Sequence, residues 1–170
     1  VTTDIKNLKK NILNFIKALK LSNEKYILVF PNNDLGSEFI IKQYKKIKNK
    51  NIKIFPSLRF ESYITLLKNS KFIIGNSSSG IMEAPYFGVP TINIGNRQNN
   101  RAKLKSIFNC SYDYSSILKL IKKYKNKKSY KAQFYFGSGK SNQKIISILK
   151  SKPIWKIKNQ KQFRDINYKI

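Results

Sequence analysis

The chain has 170 residues, with 35 Lys or Arg against 8 Asp or Glu, so its formal net charge is +27. It contains no His and one Cys, Cys110, which excludes imidazole catalysis, His metal ligands and a disulfide framework within this chain. No apolar run approaches the ~18 residues of a membrane span, and the length suits one domain with a substantial core.

A charge of this size raises nucleic acid or an anionic membrane as a partner. The excess is almost all Lys, however, since Arg occurs only at positions 59, 97, 101 and 164. Proteins usually recognise phosphates and bases through the guanidinium groups of Arg. The lysines here are instead spread along whole helices. We interpret the charge as biased composition, and we expect neither a nucleic-acid nor a membrane partner.

The hydrophobic pattern, taken in chain order, predicts helices alternating with strands. An amphipathic helix over 4–19 comes first, and a continuous apolar run at 26–30 then indicates a buried strand. Ser37 is expected to cap the next helix. The remaining predicted elements are a helix over 38–48, a strand over 51–55, a helix over 60–69, a strand over 71–74, a helix over 81–87, a strand over 91–94, and helices over 114–125 and 143–150.

This alternation predicts an α/β fold with a doubly wound parallel sheet, in which the loops following the strands share one edge. We expect residues 1–150 to form the domain and residues 151–170 to be a basic, loosely structured tail. The opening helix has no strand ahead of it, so the domain is expected to lack its first strand. Strands 26–30 and 71–74 should then flank a gap of ~9–10 Å rather than pair at ~4.8 Å.

The run Ile73–Pro85 carries the strongest functional signal. A β-prone stretch ends in Gly-Asn-Ser-Ser-Ser-Gly, and a helix-like segment with Glu83 follows. Free N–H groups of a first helical turn, serine hydroxyls and glycine backbone together make an anion site, and a carboxylate one turn later suits a ribose diol. The pattern predicts a nucleotide diphosphate site, although a helix capped by Asn or Ser has the same local sequence.

Three stretches, PNNDLGS (31–37), GNSSSGIMEAPYFGVPTINIGNRQNNR (75–101) and FGSGKSNQKI (136–145), resemble the C-terminal half of UDP-N-acetylglucosamine 2-epimerases. The Gly-Asn-Arg-Gln loop favours the hydrolysing, sialic-acid-pathway branch. The resemblance implies the C-terminal, Rossmann-like domain of a two-domain glycosyltransferase-B-type fold. This domain would hold UDP, with the sugar in the cleft between the domains.

The resemblance also suggests site residues. Ser77 and Ser78 are similar to residues that bind the diphosphate, and Glu83 to the carboxylate on the uridine ribose. Arg97 would balance diphosphate charge, as a guanidinium fork does well.

Further site residues implied by the resemblance lie in other loops that follow predicted strands. The loop at Leu58 is similar to the segment that reads the uracil edge, and Asn32 to a loop asparagine near the substrate. Asp34, Phe60 and Arg101 are further candidates. Arg101 could instead anchor its own loop, and 32–34 could be turn residues only.

No catalytic residue is expected in this chain. In the family a His-Pro pair ends the domain's first strand, and this chain opens after the place where that pair would stand. The full protein would convert UDP-N-acetylglucosamine and water to N-acetylmannosamine and UDP, without metal or redox cofactor. It would be cytoplasmic and homo-oligomeric, with an N-terminal domain supplying acid and base, and this fragment alone would be inactive.

Two other functions stay open. One is the UDP-sugar donor domain of a glycosyltransferase with the same architecture, where the Gly-Asn-Arg-Gln stretch is not expected. The other is a basic nucleic-acid-binding module, which would need clustered Arg or stacking aromatics on a basic surface. The sequence also leaves open whether the sugar is UDP-N-acetylglucosamine or a diacetamido analogue.

Overall fold

A computed structural model describes residues 6–126, 129–157 and 160. The helices are α1 (Leu8–Ser22), α2 (Ser37–Lys45), α3 (Phe60–Lys68), α4 (Ser79–Met82), α5 (Tyr114–Tyr124), α6 (Ser141–Lys150) and α7 (Lys152–Trp155). The strands are β1 (Tyr26–Val29), β2 (Ile52–Phe55), β3 (Ile73–Gly75), β4 (Thr91–Ile94) and β5 (Ile107–Cys110). A 3₁₀ turn over Ala84–Phe87 follows α4.

All strand pairs are parallel, and they form two sheets. β1 pairs with β2 with Tyr26 opposite Ile52, while β4 lies between β3 and β5 with Ile92 opposite Ile74 and Phe108. Within the described residues no ladder joins β1 to β3. The predicted absence of pairing between these two strands is therefore confirmed, and the ~9–10 Å separation stays a prediction.

One apolar core is shared by both sheets. Buried residues of β1 and β4 belong to the same cluster as the apolar faces of α1, α2 and α5. Helix α1 contributes residues at helical spacing, and it ends at Asn23, whose left-handed φ of 54° lets its N–H bond to the Lys20 carbonyl. Helix α5 is capped by Asp113, whose side chain accepts from the Ser116 N–H. These helices pack on one face of the strands and hold both sheets in one body.

The structure corrects several sequence predictions. The helix expected over 81–87 is one turn, α4, followed by a 3₁₀ turn, because Pro85 lacks an N–H and cannot continue an α-helical ladder. Ser37 does not cap α2, since the N-cap is Gly36 in a left-handed conformation with φ 89° and Ser37 is the first helical residue. Strand β5 was not predicted.

The chain divides into two compact units between Tyr135 and Phe136, and the predicted domain boundary at residue 150 stays a prediction. The second unit contains α6, whose ten residues include none that is buried, and the short α7 at Lys152–Trp155. That helix lies in the tail expected to be loosely structured; the rest of the tail, apart from residues 151, 156–157 and 160, lies outside the described residues. None of the described helices has the length and apolarity that crossing a bilayer requires.

Candidate functional site

The loops that follow the strands are joined to one another by direct contacts. Arg97, after β4, forms an ion pair with Asp34, after β1, at 3.4 Å between Nη2 and Oδ2. Gln98 donates from Nε2 to the carbonyl of Asn76, after β3, at 2.9 Å. Asn32 lines a shallow cavity together with residues of the loop after β2. The predicted convergence of the four loops at the carboxyl edge is therefore observed.

The serine turn differs in detail from the expected anion site. The N–H groups of Ser79, Gly80 and Ile81, which sequence suggested would face a ligand, instead bond to Ser77 Oγ, the Ser77 carbonyl and the Ser78 carbonyl. Helix α4 is also a single turn, so it contributes little dipole. Ser77 and Ser78 are exposed, so their hydroxyls are accessible to an anion.

Glu83 ends α4 and has an unusual environment. Its Oε2 is buried and has no hydrogen-bond partner among the described residues. Such a carboxylate oxygen is costly unless a donor reaches it, which makes it a strong candidate ligand group. Nearby, the Tyr63 hydroxyl bonds to Ser79 Oγ. Burial raises the pKa of Tyr63, and the Glu83 charge acts in the same direction, so this hydroxyl stays protonated at neutral pH.

The loop after β4 is held by its own side chains. Gln98 is 4% exposed and accepts from Arg101 Nη1 at 2.8 Å while it donates to Asn76. Asn76 in turn donates from Nδ2 to the Tyr112 hydroxyl at 3.1 Å. Arg101 therefore anchors this loop through Gln98, whereas Arg97 projects to Asp34 on the neighbouring loop.

The remaining candidates are placed as follows. Leu58 lines the same cavity as Asn32. Phe60 starts α3 and is 67% exposed, without a described contact to the other candidates. Asp34 is the ion-pair partner of Arg97 and not an isolated ligand.

Sequence reasoning missed three residues that shape this edge. Gln98 and Asn76 lie inside the motifs that were singled out, so a role in joining the loops after β3 and β4 could have been suspected. Tyr63 was assigned to the core because of its helical spacing, and nothing in the sequence signalled its hydroxyl contact with Ser79. Among the described residues no group of three or more His, Cys, Asp or Glu could hold a metal ion.

A parallel α/β body with polar loops gathered at the carboxyl edge of its strands is a Rossmann-like half of a glycosyltransferase-B-type fold. The fold matches the crystal structure of Methanocaldococcus jannaschii UDP-GlcNAc 2-epimerase in complex with UDP-GlcNAc and UDP. The TM-score is 0.68 at 23% identity, over 85% of this chain and 41% of that one.

The family model of UDP-N-acetylglucosamine 2-epimerase matches residues 2–150, and the chain belongs to that family. It is 36% identical to the Neisseria meningitidis UDP-N-acetylglucosamine 2-epimerase over 98% of this chain and 45% of the relative. It is 31% identical to a hydrolysing UDP-N,N'-diacetylbacillosamine 2-epimerase of Legionella pneumophila, over 91% of this chain and 41% of the relative. The chain thus spans less than half the length of these curated relatives.

Proposed function

We propose that this chain is the nucleotide-binding half of a hydrolysing UDP-N-acetylglucosamine 2-epimerase. Membership of the epimerase family supports the class, and similarity to relatives described as hydrolysing supports the branch. The observation that carries the nucleotide-binding role is the buried Glu83 Oε2, which lacks a partner among the described residues and lies beside a turn of exposed serine hydroxyls. A ribose diol offers the two O–H donors that such a carboxylate needs.

The proposed pose follows from the placement of the loops. The ribose bonds to Glu83, and the diphosphate lies over Ser77 and Ser78, whose hydroxyls donate to its oxygens. Arg97 turns from Asp34 towards the diphosphate. The ion pair that it leaves is weak, because its two side chains are 33% and 31% exposed.

The base would enter the cavity between the loops after β1 and β2. Asn32 and Leu58 line this cavity, and backbone groups there are suited to the uracil edge. Because the two loops follow paired strands, their relative position is fixed by the β1–β2 ladder.

The chain's own residues bind and orient the nucleotide, and the acid–base chemistry is proposed to lie in the rest of a full-length protein. There, UDP would be eliminated to a glycal and water added, which gives N-acetylmannosamine and UDP. The chain has no His and its site carboxylates are committed to ribose and Arg97, so the isolated chain should be inactive. A cytoplasmic, homo-oligomeric full-length enzyme belongs to the same proposal.

Calorimetry with the 170-residue chain tests the proposal. UDP should bind more tightly than UMP, because the second phosphate contacts the serine turn and Arg97. Arg97→Gln should remove most of that preference, whereas Lys45→Gln, which removes the same charge from an exposed position of α2, should keep it.

Equal affinity for UDP and UMP in the unmodified chain would contradict the diphosphate site. Release of N-acetylmannosamine from UDP-N-acetylglucosamine by the chain alone would contradict the assignment of the chemistry to another part of the protein.

A further inference from the structure

The ring and the hydroxyl of Tyr63, in α3, lie in different surroundings. The ring packs against the apolar cluster formed by Leu67, Ala84 and Val89. The hydroxyl reaches the candidate site, where it shares a hydrogen bond with Ser79 Oγ at the start of α4. Apolar contacts therefore hold the ring in place, and the ring in turn holds the hydroxyl against the serine turn.

Ser79 is bonded through each of its three polar groups. Its Oγ shares the hydrogen bond with the Tyr63 hydroxyl, and its N–H donates to Ser77 Oγ at 3.3 Å. Its carbonyl accepts from the Glu83 N–H at 3.1 Å. The bond to Glu83 joins two backbone groups and does not need the Tyr63 hydroxyl. Ser79 therefore links Tyr63 to the hydroxyl of Ser77, which is proposed above to contact the diphosphate.

The bond from the Ser79 N–H restricts how the Ser77 hydroxyl can point. A hydroxyl has one proton and two acceptor lone pairs, and Ser77 Oγ uses a lone pair on the Ser79 N–H. Its proton remains available to donate, and Ser77 is exposed, so that proton can reach a ligand oxygen. Without the Tyr63 hydroxyl the Ser79 side chain could rotate, and the serine turn would lose one of its restraints.

The protonation state of Tyr63 suits a position beside an anion. Burial raises the pKa of Tyr63, and the Glu83 charge acts in the same direction, against the opposing effect of the Ser79 hydrogen bond. The phenol therefore keeps its proton at neutral pH. A neutral phenol adds no negative charge near a diphosphate, whereas a phenolate would repel it.

We infer that Tyr63 is a positioning residue for the diphosphate, because it acts through Ser79 to fix the Ser77 hydroxyl in the orientation that donates to phosphate oxygens. The inference rests on the proposed nucleotide site and adds to it a residue that touches no ligand. Phe at position 63 would keep the packing of the ring and lose the restraint.

Calorimetry with three nucleotides tests the inference on the 170-residue chain. Tyr63→Phe should weaken UDP binding roughly 5-fold, the affinity change that corresponds to one neutral hydrogen bond. Binding of UMP should change much less, so the preference for UDP over UMP should fall. The decrease for 2′,3′-dideoxy-UDP should equal that for UDP, because the ribose hydroxyls take no part in the contact.

A second pair of Tyr and Ser hydroxyls provides a matched control. Tyr26 shares a hydrogen bond with Ser22 Oγ at 2.7 Å, and it starts β1, at the end of the strand away from the carboxyl edge. Tyr26→Phe removes the same group from the same kind of pair and should leave the preference for UDP unchanged. Both variants keep a packed ring, so their urea midpoints should be similar.

A double-mutant cycle with Ser79→Ala shows whether Tyr63 acts through Ser79. Ser79→Ala should reduce the preference for UDP by a similar factor, and adding Tyr63→Phe to it should reduce the preference no further. A merely structural role of Tyr63 would give additive decreases, and additive decreases would overturn the inference.

The remaining outcomes separate this inference from the proposed function. If the unmodified chain prefers UDP over UMP and Tyr63→Phe keeps that preference, the inference is overturned and the nucleotide site stands. A decrease for UDP without a decrease for 2′,3′-dideoxy-UDP would place the effect of Tyr63 at the ribose, which would also overturn it. Equal affinity of the unmodified chain for UDP and UMP would overturn the diphosphate site and this inference together.

Discussion

The helical face of the sheets is held by buried apolar side chains, whereas the carboxyl edge of the strands is held by contacts between polar side chains. On the helical face, α1, α2 and α5 bury apolar side chains such as Ile117 and Ile121, which are 0% exposed, against both sheets. At the edge, polar side chains are joined into a network, and one buried carboxylate oxygen, on Glu83, has no partner among the described residues. The first region determines the fold, and the second is the region to which we propose that the nucleotide binds.

This difference has a direct consequence for substitutions. Changes on the helical face should lower the free energy of unfolding in proportion to the buried apolar volume that they remove. Changes to Glu83 or to the exposed Ser77 and Ser78 should alter nucleotide affinity and leave stability nearly unchanged, because no described residue satisfies Glu83 Oε2 and the two serines are not buried.

The largest expected effect is on the helical face. Ile121→Ala should lower the free energy of unfolding by about 2–5 kcal/mol, because a fully buried side chain leaves a cavity. Urea denaturation measures this change. The matched control, Ile145→Ala in α6, removes the same atoms from a side chain that is 56% exposed and should change stability by less than ~0.5 kcal/mol. Similar decreases in both variants would show that α6 is packed as α5 is.

A smaller effect is expected where the two regions touch, at Gly80. A Cβ at this position would lie 2.6 Å from Thr91 Cγ2, while Thr91 Oγ1 donates to the Gly80 carbonyl at 2.6 Å. Gly80→Ala should therefore push the serine turn away from β4, cost about 1–3 kcal/mol and weaken UDP binding.

The partner substitution Thr91→Ser keeps the hydroxyl and removes the clashing methyl group. In the double variant it should recover part of the stability and of the UDP affinity that Gly80→Ala removes, a coupling that a double-mutant cycle of urea midpoints and calorimetry measures. Strictly additive effects would contradict the proposed clash.

The smallest effect is a pH dependence at the cap of α5. Hydrogen bonds from the Ser115 hydroxyl and the Ser116 N–H lower the pKa of Asp113. Its contribution to stability is thus fully present above the unfolded carboxyl pKa, and it is lost as the pH falls below about 4 and through the folded pKa. Asp113→Asn keeps a cap and should flatten this acid-side decline in urea midpoints, and an unchanged decline would assign the effect to other carboxylates.

Most of the fold could be predicted because its elements have strong periodic signals. The continuous apolar run before Pro31 and the helical spacing of α1 and α5 gave strands and helices within a few residues of those observed. Strand β5 was missed because its four residues, Ile107–Cys110, include a polar Asn and carry no clear alternation. The break after α4 was missed because the apolar residues around Pro85 continue the helical spacing on which the prediction relied.

Burial was harder to predict than secondary structure. Helices α5 and α6 have similar amphipathic patterns, yet α5 buries three residues and α6 buries none. The pattern defines an apolar face, and whether a partner surface covers it depends on tertiary structure.

The sequence predicted which loops form the candidate site, but not the contacts within them. The motifs located the serine turn, Glu83 and the Arg97 loop, and these loops do meet. The sequence did not reveal that the first N–H groups of α4 bond within the turn, or that Arg101 holds Gln98, because both depend on the conformation of the loops.

The proposed role of Glu83 is to hold the ribose of a uridine nucleotide, and calorimetry with two ligands tests this role most directly. Glu83→Gln should weaken UDP binding by about 1–3 kcal/mol, the scale of a missing charged hydrogen-bond partner. The same substitution should leave the affinity for 2′,3′-dideoxy-UDP unchanged, because that ligand has no hydroxyls to donate to the carboxylate. An equal decrease for both ligands, or no decrease for UDP, would contradict a contact between Glu83 and the ribose hydroxyls.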